Sequence, residues 1–165
     1  MFAFSPNKDP RPNPAESASL AGDRGIPRSE SWFSVESANR LLPLVSRIAQ
    51  DLMRLDEMIR QQEAQMKGLE KLPKGNDIRA FSEELESVKE SFRVDSERLD
   101  RVREELASLG VEIESLEDAA FAFPSLLAQR PIRLSWRLGE PEVLHWREVE
   151  ETFRDRRPLD PAAIP

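Results

Sequence analysis

Apolar side chains recur at alternating steps of four and three residues through Leu41, Val45, Ile48, Leu52, Leu55, Ile59, Gln62, Met66 and Leu69. Only Gln62 interrupts the series. Such spacing lines one stripe of an α-helix and is the heptad signature of helices that pack along a seam. Leu72-Pro73-Lys74-Gly75-Asn76 then breaks the pattern, with Asp77 placed to cap a second helix. The second series runs Ile78, Phe81, Leu85, Val88, Phe92, Asp95, Leu99, Val102, Leu106 and Leu109, and Gly110 sits where a helix ends. Two matched seams across a short break predict an antiparallel helical hairpin over 34–109, roughly 40–50 Å long. Ser34 is the expected N-cap, with Glu36 in the first turn. Pro43 falls inside the pattern, so a short helix at about 35–42 is expected to meet a long one starting at Pro43. If the hairpin folds about its break, Asp95 lies opposite about residue 54, within reach of Arg54, and Gln62 opposite about residue 87. A polar layer that fixes register is the expected role.

After Gly110 the period changes to two. "GVEIE" and "AAFAFP" are short strand candidates, and "PIRLSWRL" and "PEVLHWRE" are stronger ones. Ile132, Leu134, Trp136 and Leu138 share one face; Leu144 and Trp146 share one on the next arm. Pairing Leu134 with Trp146 and Trp136 with Leu144 keeps both apolar sets on the same side of a ladder. Proline at the end of the intervening Gly139-Glu140-Pro141 cannot adopt a left-handed conformation, so a wider loop or a bulge is expected. Glu148 to Phe153 is expected to form a final helical turn. Trp136 and Trp146 read as core, with Trp32-Phe33 packing beside them. Residues 1–31 are rich in Pro, Ser and charge and read as a disordered extension; 158–165 read as a flexible tail. The expected architecture is therefore α+β: one domain over 32–157, a long coiled-coil-like antiparallel helical hairpin packed on a small, mostly antiparallel β-rich part at 111–153.

Composition narrows the chemistry. The net charge of -7 argues against nucleic acid as a partner. Cysteine is absent, which removes disulfides, thiolate metal sites and Cys nucleophiles. No basic, apolar leader and no long apolar run is seen, so a cytoplasmic protein without a membrane span is expected. Six glycines, and no GxGxxG, Walker loop, HExxH or nucleophile elbow, leave no phosphate cradle or familiar catalytic motif.

The segments "FSVESANRLLPLV" and "RPIRLSWRLGEPEVLHWREVEETFRDRRPL", joined by "LGVEIESLEDAAFAFPSL", resemble the bacterial domain of unknown function 2203 family, sometimes labelled division initiation protein. The resemblance covers 32–159, and "WRLGEPE" is its most specific run. It implies a fold and a register, and brings no activity, cofactor or catalytic residue. The chain departs from the family's usual pattern at four places. Ser37 stands where Glu completes a capping box, and Ala122 where Asp precedes Phe-Pro. Ser135 stands where Cys is usual, and Arg147 where His follows the second Trp. Three of these remove groups able to ligate a metal or carry a proton, so any polar chemistry the family performs there is lost from this copy or was never shared by it.

Alternation puts Arg133, Ser135, Arg137, His145 and Arg147 together on the face turned away from the core. Arginines clustered on a sheet suit carboxylate or phosphate groups. Two readings compete: an anion- or partner-binding face, or internal pairing with Glu112, Glu114, Glu117 and Asp118, which the repulsion between Arg133 and Arg147 favours. His145, the only histidine, lacks obvious co-ligands and reads as a partly exposed strand residue. No catalytic residue, metal ligand or cofactor is assigned. The leading functional expectation is a non-enzymatic interaction or structural module, with a protein partner or homo-oligomer. The alternatives are an anion- or metal-dependent small-molecule site on the β-hairpin face and an RNA-polymerase channel-type regulator. The net-basic run "KGLEKLPKGND" at the hairpin tip speaks against the last.

Overall fold

A computed structural model describes residues 32–71 and 78–160. The expectations for residues 1–31, for the break at 72–76 and for Asp77 as a cap fall outside the described residues. Helix α1 spans Val35–Lys71 and helix α2 spans Ile78–Ser108. At the start of α1, the Ser37 backbone N–H donates to Ser34 Oγ (3.1 Å) and the Ser34 N–H donates to Ser37 Oγ (2.9 Å). The reciprocal capping box thus forms with a hydroxyl in the position usually given to Glu or Gln. The expected division at Pro43 does not occur, and α1 runs through it without interruption. Pro43 is exposed, while its neighbours Leu42 and Val45 are buried. One missing backbone hydrogen bond on the wet side is outweighed by the apolar stripe on the other.

The helices pair, but not in the expected register. Gln62 Nε2 donates to Asp95 Oδ2 at 2.7 Å, so the two interruptions of the seam meet each other. Arg54 instead lies beside Asp51 on the solvent side of its own helix. Stepping one heptad from the Gln62–Asp95 pair, in opposite directions on the two helices, aligns Leu69 with Val88 and Leu55 with Val102. The hairpin therefore does not fold symmetrically about its break. α2 ends as expected: Gly110 takes φ 79°, the Gly110 N–H donates to Ala107 and the Val111 N–H donates to Leu106. This is a Schellman closure, with Val111 and Leu106 in the same core.

Among the described residues five antiparallel strands follow α2 in sequential order: β1 (Glu112–Ser115), β2 (Ala120–Leu127), β3 (Arg130–Arg137), β4 (His145–Glu148) and β5 (Arg157–Pro158). Leu134 pairs with Trp146, as face matching requires. The ladder between β3 and β4 stops at Ser135–His145, so Trp136 and Leu144 do not pair. The connection is wider than three residues, and Leu144 is 45% exposed and not in the core. Three bonds shape that connection. Trp136 Nε1 donates to the Glu140 carbonyl, the Arg137 N–H donates to the Glu140 carboxylate, and the Val143 N–H donates to Asn39 Oδ1 of α1. The "LGEPEVL" run is thus a clasp between the sheet and the first helix. Residues 149–152 form no helix; one 3-10 turn lies further on, at Phe153–Asp155. The start of the expected tail is also placed. Pro158 belongs to β5, and the Leu159 N–H donates to the Leu144 carbonyl at 2.8 Å.

The core lies between one face of the sheet and the first half of α1. Ala38, Leu42, Val45, Ala49, Leu52 and Leu55 meet Phe121, Phe123, Ile132, Leu134 and Trp136, with Leu99 and Leu106 of α2 joining them. Phe33 packs edge-on against Phe123 (5.3 Å) at the margin of the core that holds Trp136, and Trp32 stays 38% exposed. Ser125 Oγ donates to the Phe33 carbonyl, tying the lead-in of α1 to β2. Beyond Ile59 and Leu99 the helices leave this core; Leu69 and Val88 are buried but lie outside it. About 20 Å of α1 therefore runs on with α2 as a two-helix arm.

The β2–β3 turn carries local strain. Leu127 pairs with Arg130, and the two residues between, Ala128 and Gln129, have φ values of 48° and 65°. A two-residue turn with both residues left-handed prefers Asn-Gly. Ala128→Asn combined with Gln129→Gly is expected to raise stability by about 1 kcal/mol in urea denaturation, by relieving backbone strain. A loss of stability would show that the Ala128 and Gln129 side chains contribute more than their backbone strain costs.

Candidate functional site

The five residues singled out on the hairpin do share one face. Arg133 lies opposite Arg147 and Ser135 opposite His145 across the β3–β4 ladder, with Arg137 further along β3. On the neighbouring strand Ala122 is paired with Ser135, and β1 brings Glu112 and Glu114 alongside. The small side chains of Ala122 and Ser135 form a buried floor under longer charged ones.

Those charged groups are bonded to one another. Arg133 Nε donates to Glu112 at 2.6 Å. Glu114 accepts from Ser135 Oγ at 3.0 Å and forms an ion pair with Arg147. The same guanidinium donates from Nη1 to the carbonyls of Glu148 (2.9 Å), Val149 (3.1 Å) and Glu151 (2.7 Å). It therefore neutralises a carboxylate on β1 and satisfies three carbonyls around the turn after β4. Burying two charges is costly unless every donor and acceptor is met. Here Glu114 and Arg147 side chains are 4% and 10% exposed, and both are heavily bonded. Arg137 is exposed; its Nε donates to the Asp118 carbonyl at 3.1 Å. Of the four acidic residues expected to pair with this face, Glu112 and Glu114 do so through their carboxylates, while Asp118 meets Arg137 through its backbone.

This geometry is ill suited to nucleophilic or acid–base work. Ser135 has no exposed surface, and its hydroxyl is engaged with Glu114. The carboxylate that holds the Ser135 hydroxyl is itself tied up in an ion pair with Arg147, and His145 Nδ1 is buried without a hydrogen-bond partner. Among the described residues, no three His, Asp or Glu side chains gather as a metal's ligands would. Several organising residues have no sequence signal: Asn39 reaches Val143, and Arg156 reaches Glu140, across long stretches of chain. Only local periodicity is visible in a sequence, and these ties are not periodic.

Residues 31–159 match the profile of a family described as "Uncharacterized conserved protein (DUF2203)". The chain belongs to this family. No curated protein and no solved structure matches it. The fold of this DUF2203 chain brings Ala122, Ser135 and Arg147 together. Ala122 faces Ser135 across β2 and β3, and Glu114 bonds both Ser135 and Arg147. In this DUF2203 protein a small floor and a guanidinium thus share one buried polar spot.

Arg147→Ala should cost about 3 kcal/mol, because Glu114 is left buried and uncompensated and three carbonyls lose their donor. Arg133→Ala, whose partner Glu112 is half-exposed, should cost less than about 1 kcal/mol. Urea denaturation of the two variants checks the contrast; equal losses would show that the buried pair has no special weight.

Proposed function

We propose that this DUF2203 chain is a non-enzymatic interaction module that associates through its helical arm, with a second copy as the partner. The observation that carries this reading is the changing burial along the seam. Near the sheet most of the seam is buried, at Val45, Ile48, Leu52, Leu55, Leu99 and Leu106, whereas among the described residues of the arm only Leu69 and Val88 are. Farther out, Met66, Phe81, Leu85 and Phe92 stay partly exposed, although they hold the same heptad positions. Two such arms packed side by side would form a four-helix arrangement that covers those side chains. The Gln62–Asp95 layer suits that role, since a polar pair in a seam sets register at some cost in stability. Gln62 Oε1 is buried without a donor, as expected of a layer selected for specificity.

An anion site on the β face has less support. Arg133 and Arg147 already hold carboxylates, and an incoming anion would compete with Glu112 and Glu114. Among the described residues no helix is long and apolar enough to cross a membrane.

Sedimentation velocity at tens of micromolar is expected to show a dimer mass. Met66→Glu with Phe92→Glu should return it to monomer while circular dichroism keeps the helical signal. A wild-type chain that sediments as monomer throughout would overturn the self-association.

A further inference from the structure

β4 would form the open edge of the sheet were it not for the last described stretch of chain. Phe153 to Leu159 passes along that edge as a strap, and its only strand is the two-residue β5. The strap is held chiefly by charge. Arg156 meets the Glu140 carboxylate at 2.7 Å. Arg157 pairs with Glu151, lies 3.8 Å from Glu148, and its guanidinium sits 5.2 Å from the centre of the Trp146 ring. Leu159 supplies the apolar anchor, partly buried against the core, and its N–H donates to the Leu144 carbonyl. Partly exposed ion pairs contribute about 0–1 kcal/mol each, so a strap with one apolar anchor belongs to the weakly held part of a fold.

Every group that receives the strap belongs to another element. Glu140 comes from the β3–β4 connection, Leu144, Trp146 and Glu148 from β4 and its lead-in, and Glu151 from the turn after β4. Together they present a strand edge, an aromatic ring and the carboxylates of Glu140 and Glu151, while Glu148 is shared with Arg130 of β3 at 3.1 Å. Those are the elements of recognition by strand addition: main-chain bonds supply affinity and flanking side chains select sequence. Pro158 offers no N–H outward, which discourages further strands from adding while the strap is in place.

We propose that the outer edge of β4 is a groove for an extended basic peptide, and that Arg156-Arg157-Pro158-Leu159 is its resident occupant. The partner it fits is a protein segment with two consecutive basic residues followed by proline and a branched apolar residue. The charge complementarity of Glu140 and Glu151 selects that chemistry over acidic or neutral strands. The groove is separate from the arm, so either reading can fail while the other stands.

The test uses the full chain and a dye-labelled peptide copying residues 153–160. A strap-loosened variant, Arg157→Glu with Leu159→Asp, leaves the groove residues intact but weakens the occupant. By fluorescence anisotropy the peptide should bind this variant at least about tenfold more tightly than wild type, because the resident strap no longer competes. Binding should weaken with added salt and vanish for a peptide with its arginines changed to glutamate. No binding to the loosened variant, or equal binding of the charge-reversed peptide, would overturn the proposal. So would a dimer present in wild type and lost in the loosened variant, which would mean that copies exchange straps. Amide exchange on the wild-type chain covers the case of a variant that does not fold. The Leu159 N–H should exchange faster as salt rises while the β3 amides do not. Exchange of Leu159 only together with β3 would show that the strap does not open by itself.

Discussion

Glu114 and Arg147 hold opposite charges where water barely reaches either side chain. That pair organises the polar half of the molecule. Through Glu114 it joins β1 to Ser135 of β3, and through Arg147 it joins β4 to the carbonyls of the next turn. Neither charge is tolerable without the other. The geometry of β1, β3 and β4 is therefore mutually conditional. The turn that sends the chain back towards β5 depends on the same guanidinium. A sheet face that resembles a binding surface when its residues are taken one by one becomes, once bonded, an interior of charges.

The opposite face obeys a simpler rule. Phe121, Phe123, Ile132, Leu134 and Trp136 stand on alternate positions and meet the apolar stripe of α1. The sheet is short and the helices are long, so they cannot match along their whole length. The core seals the helices where the sheet lies beneath them, and the remainder projects with a seam closed only by its own two members. This mismatch in length, more than any single residue, separates the chain into a body and an arm.

Much of this is legible in the sequence, and the reason is periodicity. Seam positions, the end of α2 at Gly110, the sidedness of β3 and β4, and the pairing of Leu134 with Trp146 all come from spacing. The features that escape it are set by contacts between distant residues. Folding about the midpoint of the break predicts one hairpin register, but the chain places Gln62 against Asp95, joining two polar positions that would otherwise be stranded. Alternation assigns Leu144 to the core, yet the clasp around Glu140 pulls it outside the ladder. Pro43 looks like a division between helices, and burial on both sides of it keeps the helix whole. The start of the tail looks structureless because it has little apolar content, yet Pro158 pairs in the sheet and Leu159 is bonded to the Leu144 carbonyl, contacts from far back in the chain.

The start of α1 carries a consequence of its own. Its reciprocal cap is made from Ser34 and Ser37, two hydroxyls that do not ionise over the ordinary pH range. A glutamate in the second position would give a stronger, charge-assisted bond, but one that weakens when acid protonates it. With serine the helix start sacrifices strength for indifference to acidity. The cap stands at the root of the helix that supports both the core and the arm. The alignment of that helix with the sheet, through Phe33 and Ser125, is thus built entirely from neutral groups.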